Sequence, residues 1–262
     1  MHGLKLSAVA LLAITAATSV ASAEIILPGN PNWGSVPDSG SSAITGTQPR
    51  SGDGSLELTG DRTRFESISA APTGFGLLNN ISSASFDWQI AVGSTNPYDP
   101  DYTPALRLLV FDPNAANQFS ELIWEGAYNG VYGAANEGTW YTSGVADKFW
   151  RWVTGLGETN DPGLVTQTIA DWASGANSAN AQWYSDAAFV YGISVGVGSG
   201  ASPNYHAFAD NVTIVSSGNS TTYNFNLTDP AAEVPEPASL AVWSLMGVAG
   251  LAYRWRNRKK VS

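Results

Sequence analysis

Residues 187–198 read AAFVYGISVGVG and form the longest β pattern in the chain. Large apolar side chains occupy every second position from 189 to 197, and the positions between them are Val190, Gly192, Ser194 and Gly196. A period of two predicts a β-strand with two different faces. Because one face is mostly small, we expect another layer or a backbone to approach it closely.

Shorter strands are predicted on both sides of this one. They cover residues 24–27, 55–59, 62–68, 86–92, 105–111, 119–124, 138–142, 148–153, 206–215 and 223–227. The strands at 55–59 and 62–68 are expected to form a hairpin across Gly60-Asp61. The polar stretch 28–54 is predicted as a loop. Short strands separated by turn residues are typical of β-sandwiches.

Two of these strands differ in their expected burial. Asp87 and Gln89 alternate with apolar side chains in 86–92, which predicts a strand with one solvent-exposed face. The strand at 105–111 is apolar at both parities except at Arg107, which predicts a central strand covered on both sides.

One helix is predicted, over residues 162–173. Asp161 is a suitable N-cap, Pro162 suits the first helical position, and Gly175 follows the last turn. We expect this helix to cover one open end of the sheet. The fold class is therefore all-β, a β-sandwich with one short helix.

The first 23 residues have the pattern of a secretory signal peptide. Lys5 precedes an apolar run at 6–20, and Ala21-Ser22-Ala23 supplies small residues at the expected cleavage site before Glu24. We therefore predict a signal helix that is removed by cleavage between Ala23 and Glu24.

The last thirty residues have three parts. The motif Pro235, Glu236, Pro237 is followed by an uncharged apolar run from Ala238 to Tyr253, which as a helix spans about 24 Å. This is close enough to a bilayer core of about 30 Å to predict a transmembrane helix. The basic end consists of Arg254, Arg256, Arg258, Lys259 and Lys260. The positive-inside rule places that end in the cytoplasm.

This tail resembles the PEP-CTERM sorting signal of exported proteins in Gram-negative bacteria. The resemblance covers residues 234–260, and Trp255 departs from it by interrupting the basic cluster. It implies a membrane-embedded protease of the exosortase type as partner, which recognises the motif and releases the protein or transfers it to the cell surface. The alternative is an ordinary C-terminal anchor behind a Pro-rich linker.

These signals divide the chain into four segments: the signal peptide at 1–23, a passenger domain at 24–228, a linker at 229–233 and the sorting tail at 234–262. The passenger is expected in the periplasm while the tail is held in the inner membrane. Its final location is then the cell surface or the extracellular matrix.

The charge of the passenger excludes several partners. Residues 24–233 contain six Lys and Arg and 21 Asp and Glu, a net charge of −15. Such a surface repels nucleic acid and anionic lipid, and it favours solubility.

The residue inventory also excludes several chemistries. The chain has no cysteine and only two histidines, His2 and His206. Thiolate nucleophiles and zinc sites built from Cys or several His are therefore excluded, and a serine triad would depend on His206 alone.

Residues 54–58 and 210–214 are similar to jelly-roll domains of the lectin-like and carbohydrate-binding type. This resemblance implies a jelly-roll sandwich and a structural calcium held in part by Asp210. The competing interpretation satisfies Asp210 with backbone amides. A second candidate calcium site is Asp99 with Asp101, two carboxylates at a spacing of two in a Pro-rich loop.

Glu121 and Glu125 are the candidate catalytic pair. On a strand both face the same side, as the acid and nucleophile of a retaining glycosidase would. An unbent strand separates them by about 13 Å, whereas that mechanism needs about 5.5 Å between carboxyl groups. Jelly-roll glycosidases that this strand resembles have an aspartate where this chain has Ile123, so two solvent-facing glutamates are the preferred interpretation.

Aromatic residues concentrate in the second half of the passenger. Exposed aromatic faces stack on sugar rings, but most aromatics of a sandwich lie in its core. In the strand at 148–153, we expect the side that carries Arg151 to be the more solvent-exposed one and Trp150 and Trp152 to be buried. We predict a non-enzymatic surface protein that is structural or binds extracellular polysaccharide. The alternative is a glycan-active hydrolase of jelly-roll type.

Overall fold

The computed structural model describes residues 21–36, 39–68, 74–95, 102–129, 135–158, 167–174 and 183–230. Their fold is all-β with one short helix, as predicted. The strands in chain order are β1 (Ala21–Ile26), β2 (Trp33–Ser35), β3 (Ser41–Thr45), β4 (Ser55–Thr59), β5 (Arg64–Ile68), β6 (Gly76–Leu77), β7 (Ile81–Ile90), β8 (Ala105–Phe111), β9 (Phe119–Trp124), β10 (Tyr141–Thr142), β11 (Trp150–Val153), β12 (Gly157–Glu158), β13 (Phe189–Gly196), β14 (His206–Ser216) and β15 (Asn219–Phe225). The helix α1 is Ile169–Ser174, and 3-10 turns occupy Leu78–Asn80 and Gly126–Tyr128.

The first sheet is built around β14. One edge of β14 pairs with β4 over its first half and with β15 over its second half, and the other edge pairs with β7. β3 extends the sheet beyond β4, and β10 extends it beyond β7. β1 joins β15 as a parallel strand, whereas the other pairs are antiparallel.

The second sheet is ordered β12-β11-β9-β8-β13-β5-β2, and β6 pairs with the start of β13. Its central strands are β8, β9 and β13. All seven residues of β8 except Phe111 are buried, so the prediction of a central strand covered on both sides is confirmed.

The hydrophobic core lies between the two sheets. Trp124 of the second sheet meets Phe86 of the first edge to face, with ring centroids 5.1 Å apart. At the other end of the core, Trp33 and Phe225 make the same kind of contact at 5.3 Å. Such aromatic pairs stabilise the packing beyond the area they bury.

The predicted hairpin between residues 55–59 and 62–68 is wrong. β4 belongs to the first sheet and β5 to the second, so the chain crosses between the sheets at residues 60–63. Gly60 (φ 87°) and Arg62 (φ 49°) both adopt left-handed backbone conformations there. Their amides bond elsewhere, to the carbonyls of Tyr205 and Gly198. A turn-like dipeptide does not distinguish a hairpin from such a crossing.

The solvent-exposed face predicted for residues 86–92 is also wrong, because Asp87 and Gln89 are buried. The side chain of Gln89 donates to the Gly138 carbonyl at 2.9 Å. Asp87 accepts hydrogen bonds from Arg50 and from Thr142. Neighbouring segments therefore cover this face and satisfy its polar groups.

The helix is shorter than predicted. Gln167 forms an isolated β-bridge with Phe149, so the helix begins only at Ile169. The Thr168 hydroxyl accepts the Asp171 amide at 3.2 Å and acts as the cap. Asp161, Pro162 and Gly175 lie outside the described residues. α1 packs against β7 and the turn Leu78–Asn80.

Other element limits also differ. The stretch predicted as a loop contains β2 and β3, and the strands predicted at 138–142 and 148–153 shrink to β10 and β11. β1 starts three residues before the predicted cleavage site, but its fully buried residue, Ile26, lies after that site.

The two terminal signals lie almost entirely outside the described residues. This applies to the signal peptide up to residue 20 and to the whole of 234–262, including the predicted transmembrane helix. Within the described ranges, no helix is long and apolar enough to cross a membrane.

The predicted small face of β13 holds only for Gly192, Ser194 and Gly196, because a register shift between Val190 and Gly192 places Val190 in the core. At Gly196 a neighbouring backbone approaches closely, as the sequence predicts. A Cβ atom at Gly196 would lie 1.9 Å from the Thr63 carbonyl oxygen. We therefore expect Gly196→Ala to lower the free energy of unfolding by about 3 kcal/mol, measured by urea denaturation. Gly34→Ala is the control, because a Cβ there meets no atom within 4 Å. An equal effect of both substitutions would contradict the close approach.

Candidate functional site

The outer face of the second sheet points away from the core. Among the described residues of this sheet, more charged side chains lie on the outer face than on the inner face. The register places Glu66, Ser194, Arg107, Ile123 and Trp150 opposite one another on five neighbouring strands. We call these five residues the central row. The next row contains Ile68, Gly192, Leu109, Glu121 and Trp152.

Arg64 extends across this face from β5. Its Nη1 and Nη2 atoms donate to the two carboxylate oxygens of Glu121 on β9, at 2.9 and 3.3 Å. Since β13 and β8 separate these strands, the side chains of Arg64 and Glu121 must extend toward each other across the strands that carry Ser194 and Arg107. The small side chains on the outer face of β13 leave room for the Arg64 side chain.

Charge on both sides holds Arg64 in place. Its Nη1 also lies 3.4 Å from Glu66. Burial lowers the pKa of the Arg64 guanidinium, but the Glu121 and Glu66 carboxylates outweigh burial and raise it above its ordinary value. The side chain is 34% exposed, so it remains partly in solvent.

Arg107 lies on β8, between β13 and β9, and is only 3% exposed. Its Nε is 3.6 Å from Glu121, which is an ion pair but too long for a hydrogen bond. Neither Nε nor Nη1 has a hydrogen-bond partner. Burial, and then the charge of Arg64, lower the pKa of the Arg107 guanidinium. A buried guanidinium with unpaired donors is energetically costly.

The structure brings Glu121 and Glu125 to one side of the sheet, with Arg107 opposite Ile123 between them. Glu125 follows β9 with an extended backbone (φ −140°, ψ 142°), which preserves the alternation. Near it, a Cβ at Gly198 would lie 3.4 Å from Glu125 Oε1 and 2.8 Å from the Tyr102 hydroxyl. A larger residue at position 198 would therefore displace the Tyr102 hydroxyl.

The prediction for Trp150 and Trp152 is wrong. The two side chains lie on the outer face, and Trp152 is 40% exposed. Phe149 and Val153 are buried on the inner side, where Arg151 stacks over the Tyr184 ring at 4.9 Å. The alternating pattern shows that Trp150 and Trp152 lie on the opposite side of the strand from Phe149, Arg151 and Val153. It does not show which of the two sides faces the core. The stacking partner of Arg151 is distant in sequence.

Further aromatic side chains surround the charged residues. Phe119 is 46% exposed and meets Tyr191 edge to face at 5.7 Å. Tyr128, near the other end of β9, meets Trp150 at 6.3 Å. The outer face therefore combines exposed rings with hydrogen-bonding groups.

Asp210, the predicted metal ligand, lies on the first sheet and is fully buried. Its Oδ1 accepts the amides of Asn211 and Phe225 at 2.8 and 2.9 Å, and its Oδ2 accepts the Ser51 amide at 3.1 Å. This geometry fits the alternative in which backbone amides satisfy the carboxylate.

Calcium at Asp210 stays a prediction. In the described ranges no group of three or more His, Cys, Asp or Glu could hold a metal ion. Two buried oxygens of the type that calcium prefers, Asn224 Oδ1 and Asn226 Oδ1, have no donor and flank Phe225 in the chain. Asp99 and Asp101 lie outside the described residues.

His206 pairs with a carboxylate that the sequence did not suggest. Its Nε2 is 2.7 Å from Glu57 Oε1, because β4 and β14 are adjacent. Glu57 also accepts the hydroxyls of Thr45 and Thr47. These contacts account for His206 as one member of a polar cluster on the first sheet.

No family model matches the chain, and no curated protein matches it either. The functional argument therefore depends on the site itself.

Burial raises the pKa of Asp210 from 3.8 to about 6. Between these values the folded state holds a proton that the unfolded state has lost, so the free energy of unfolding should fall as pH rises from about 4 to about 6, by up to about 3 kcal/mol. Urea denaturation measures the free energy of unfolding of wild type and of Asp210→Asn across this pH range, and the difference between the two isolates the contribution of Asp210. The subtraction is needed because carboxylates whose pKa is lowered in the folded state stabilise the protein more as pH rises.

Carbon-13 NMR of the Asp210 carboxyl group measures the same titration directly. A midpoint near pH 4 would contradict the proposed burial effect. Adding calcium to the same sample tests the metal prediction, since binding should shift this resonance and lower the midpoint.

Proposed function

We propose that the chain is an exported surface or extracellular-matrix protein whose domain binds polysaccharide without cleaving it. The binding site is the outer face of the second sheet. The observation that carries this proposal is the presence of exposed aromatic rings beside buried hydrogen-bonding groups on that face. Sugars require both, because a pyranose ring has an apolar face and a rim of hydroxyl groups.

The proposal includes a jelly-roll topology. The strand order β4-β14-β7-β10 in one sheet and β5-β13-β8-β9 in the other supports it. Of these eight strands, successive ones lie in opposite sheets except β8 and β9, which pair within the second sheet, and this order fits two Greek keys. In this arrangement the first and last of the eight strands, β4 and β14, are neighbours.

The route to the surface is also proposed. A signal peptide cleaved between Ala23 and Glu24 would start export, and an exosortase-type protease would act at the motif Pro235, Glu236, Pro237. The support is the order of motif, apolar run and basic end in the sequence. The predicted linker between the domain and the motif is short, at residues 229–233.

Trp152→Ala should weaken polysaccharide binding at least tenfold, because the substitution removes an exposed ring from the proposed site. Affinity electrophoresis and calorimetry against a panel of polysaccharides measure the loss. Leu227→Ala is the matched control, since Leu227 has nearly the same exposure, 41% against 40%, and follows the last strand of the first sheet. Equal binding by wild type and Trp152→Ala would refute this site.

A glycan-active hydrolase is the second candidate. The position of Glu121 and Glu125 on one side of the sheet favours it. Two guanidinium groups contact Glu121, however, and either catalytic role would require breaking its pairing with Arg64. Release of reducing ends that Glu121→Gln abolishes would establish the hydrolase in place of a binding protein.

Processing can be tested by intact mass spectrometry of the protein secreted by a host that carries an exosortase. We expect Glu24 as the first residue and loss of the segment after the motif. Alanine at both Pro235 and Pro237 should retain the tail, whereas Pro230→Ala, outside the motif, should not. A wild-type protein that keeps its tail would establish the ordinary anchor instead.

A further inference from the structure

The central row has an unusual concentration of unpaired polar atoms. Arg107 Nε and Nη1, Ser194 Oγ and Trp150 Nε1 are all buried, and none has a hydrogen-bond partner. These side chains belong to β8, β13 and β11, which places them across the sheet. Elsewhere in folded proteins such groups are almost always paired.

The unpaired groups lie in line across the strands. Ser194 pairs with Arg107, Arg107 with Ile123, and Ile123 with Trp150. Neighbouring strands are about 4.8 Å apart, so the row from Ser194 to Trp150 extends about 14 Å. That length exceeds a single sugar ring and suits a short stretch of glycan chain running across the strands.

The charges on this face select the kind of glycan. Arg64 and Arg107 lie among the three carboxylates of Glu66, Glu121 and Glu125, and both guanidinium groups form ion pairs with Glu121. An anionic sugar would find no unmatched cation here. It would also approach a domain with a large negative charge.

We propose that the central row is the floor of a binding site for a neutral polysaccharide, whose hydroxyl and ring oxygens accept from Arg107, Ser194 and Trp150. This inference depends on the proposed function and names its ligand class. Trp152, beside Trp150, supplies the ring on which a sugar stacks.

Arg64 is the cover of this site. Its ion pair with Glu121 spans β13 and β8, the strands that carry Ser194 and Arg107. The Arg64 side chain is 34% exposed, against 15% for Glu121 and 3% for Arg107. Ligand entry requires the Arg64 guanidinium to move off Glu121, after which sugar hydroxyls donate to the freed carboxylate. The ion pair therefore keeps the floor closed when no glycan is bound.

The test uses the secreted domain with neutral polymers (laminarin, xylan and mannan) and acidic ones (alginate and polygalacturonate). At least one neutral polymer should bind, with an affinity that does not fall between 50 and 500 mM NaCl, because the ligand makes no ionic contact that salt could weaken. Failure of all polymers would refute the proposed function. Binding of acidic polymers alone, weakened by salt, would refute this inference but leave the proposed function standing.

Two variants test the floor. Arg107→Met should weaken neutral-polymer binding at least tenfold with little change in melting temperature, because methionine fills similar space without an unpaired charge. Ser194→Ala should weaken binding severalfold, and it provides an independent test if Arg107→Met does not fold. Ser82→Ala, on the first sheet, is its control. Unchanged binding by both floor variants would overturn the assignment.

Arg64→Ala tests the cover. If Arg64 closes the floor, its removal should make neutral-polymer binding severalfold tighter, and unchanged binding would overturn its role as cover. A tenfold loss in Arg64→Ala with no loss in Arg107→Met would instead make the ion pair itself the binding group, and would overturn the arrangement proposed here.

Discussion

The buried Asp210 carboxylate of β14 connects this strand to the end of β15 and to the loop before β4, and the first sheet depends on this connection. β14 changes its neighbour from β4 to β15 beside this residue, and its pairing with β7 shifts register between Asp210 and Thr213. Asn211 takes a left-handed backbone conformation (φ 50°) at the same point. Three amides converge on the carboxylate, from the end of β15, from the loop before β4 and from Asn211 itself. One buried side chain thus replaces the ladder hydrogen bonds that the change of neighbour interrupts.

Alternating patterns predicted the existence of most strands but not their partners. β8, β9 and β14 are close to their predicted limits because each carries a long and regular set of buried side chains. The hairpin failed because Gly60-Asp61 can turn a chain within a sheet or carry it to the opposite sheet. Arg62 adopts a positive φ, which glycine alone adopts easily, so no residue preference indicated the crossing. Strand partners depend on contacts distant in sequence, which local patterns do not contain.

The candidate site shows the same division between local and distant information. The sequence correctly placed Glu121 and Glu125 on one side of a strand, but it could not show that Arg64, three strands away in the sheet, reaches Glu121. It also assigned Trp150 and Trp152 to the wrong side. A lone arginine looks like a marker of solvent, whereas Arg151 covers aromatic rings with its guanidinium. Cation–π stacking makes such a residue a poor indicator of exposure.

The charges of two buried side chains, one on each sheet, are compensated to different extents. Asp87 on the first sheet is paired with Arg50, Thr142 and Asn211, so its charge is compensated within the fold. Arg107 on the second sheet leaves two of its nitrogens without partners. A structural role would be served equally well by an apolar residue, which would avoid the desolvation cost. The unpaired donors of Arg107 are therefore better explained as groups that a ligand completes, and this is the physical basis for proposing a binding site on the second sheet.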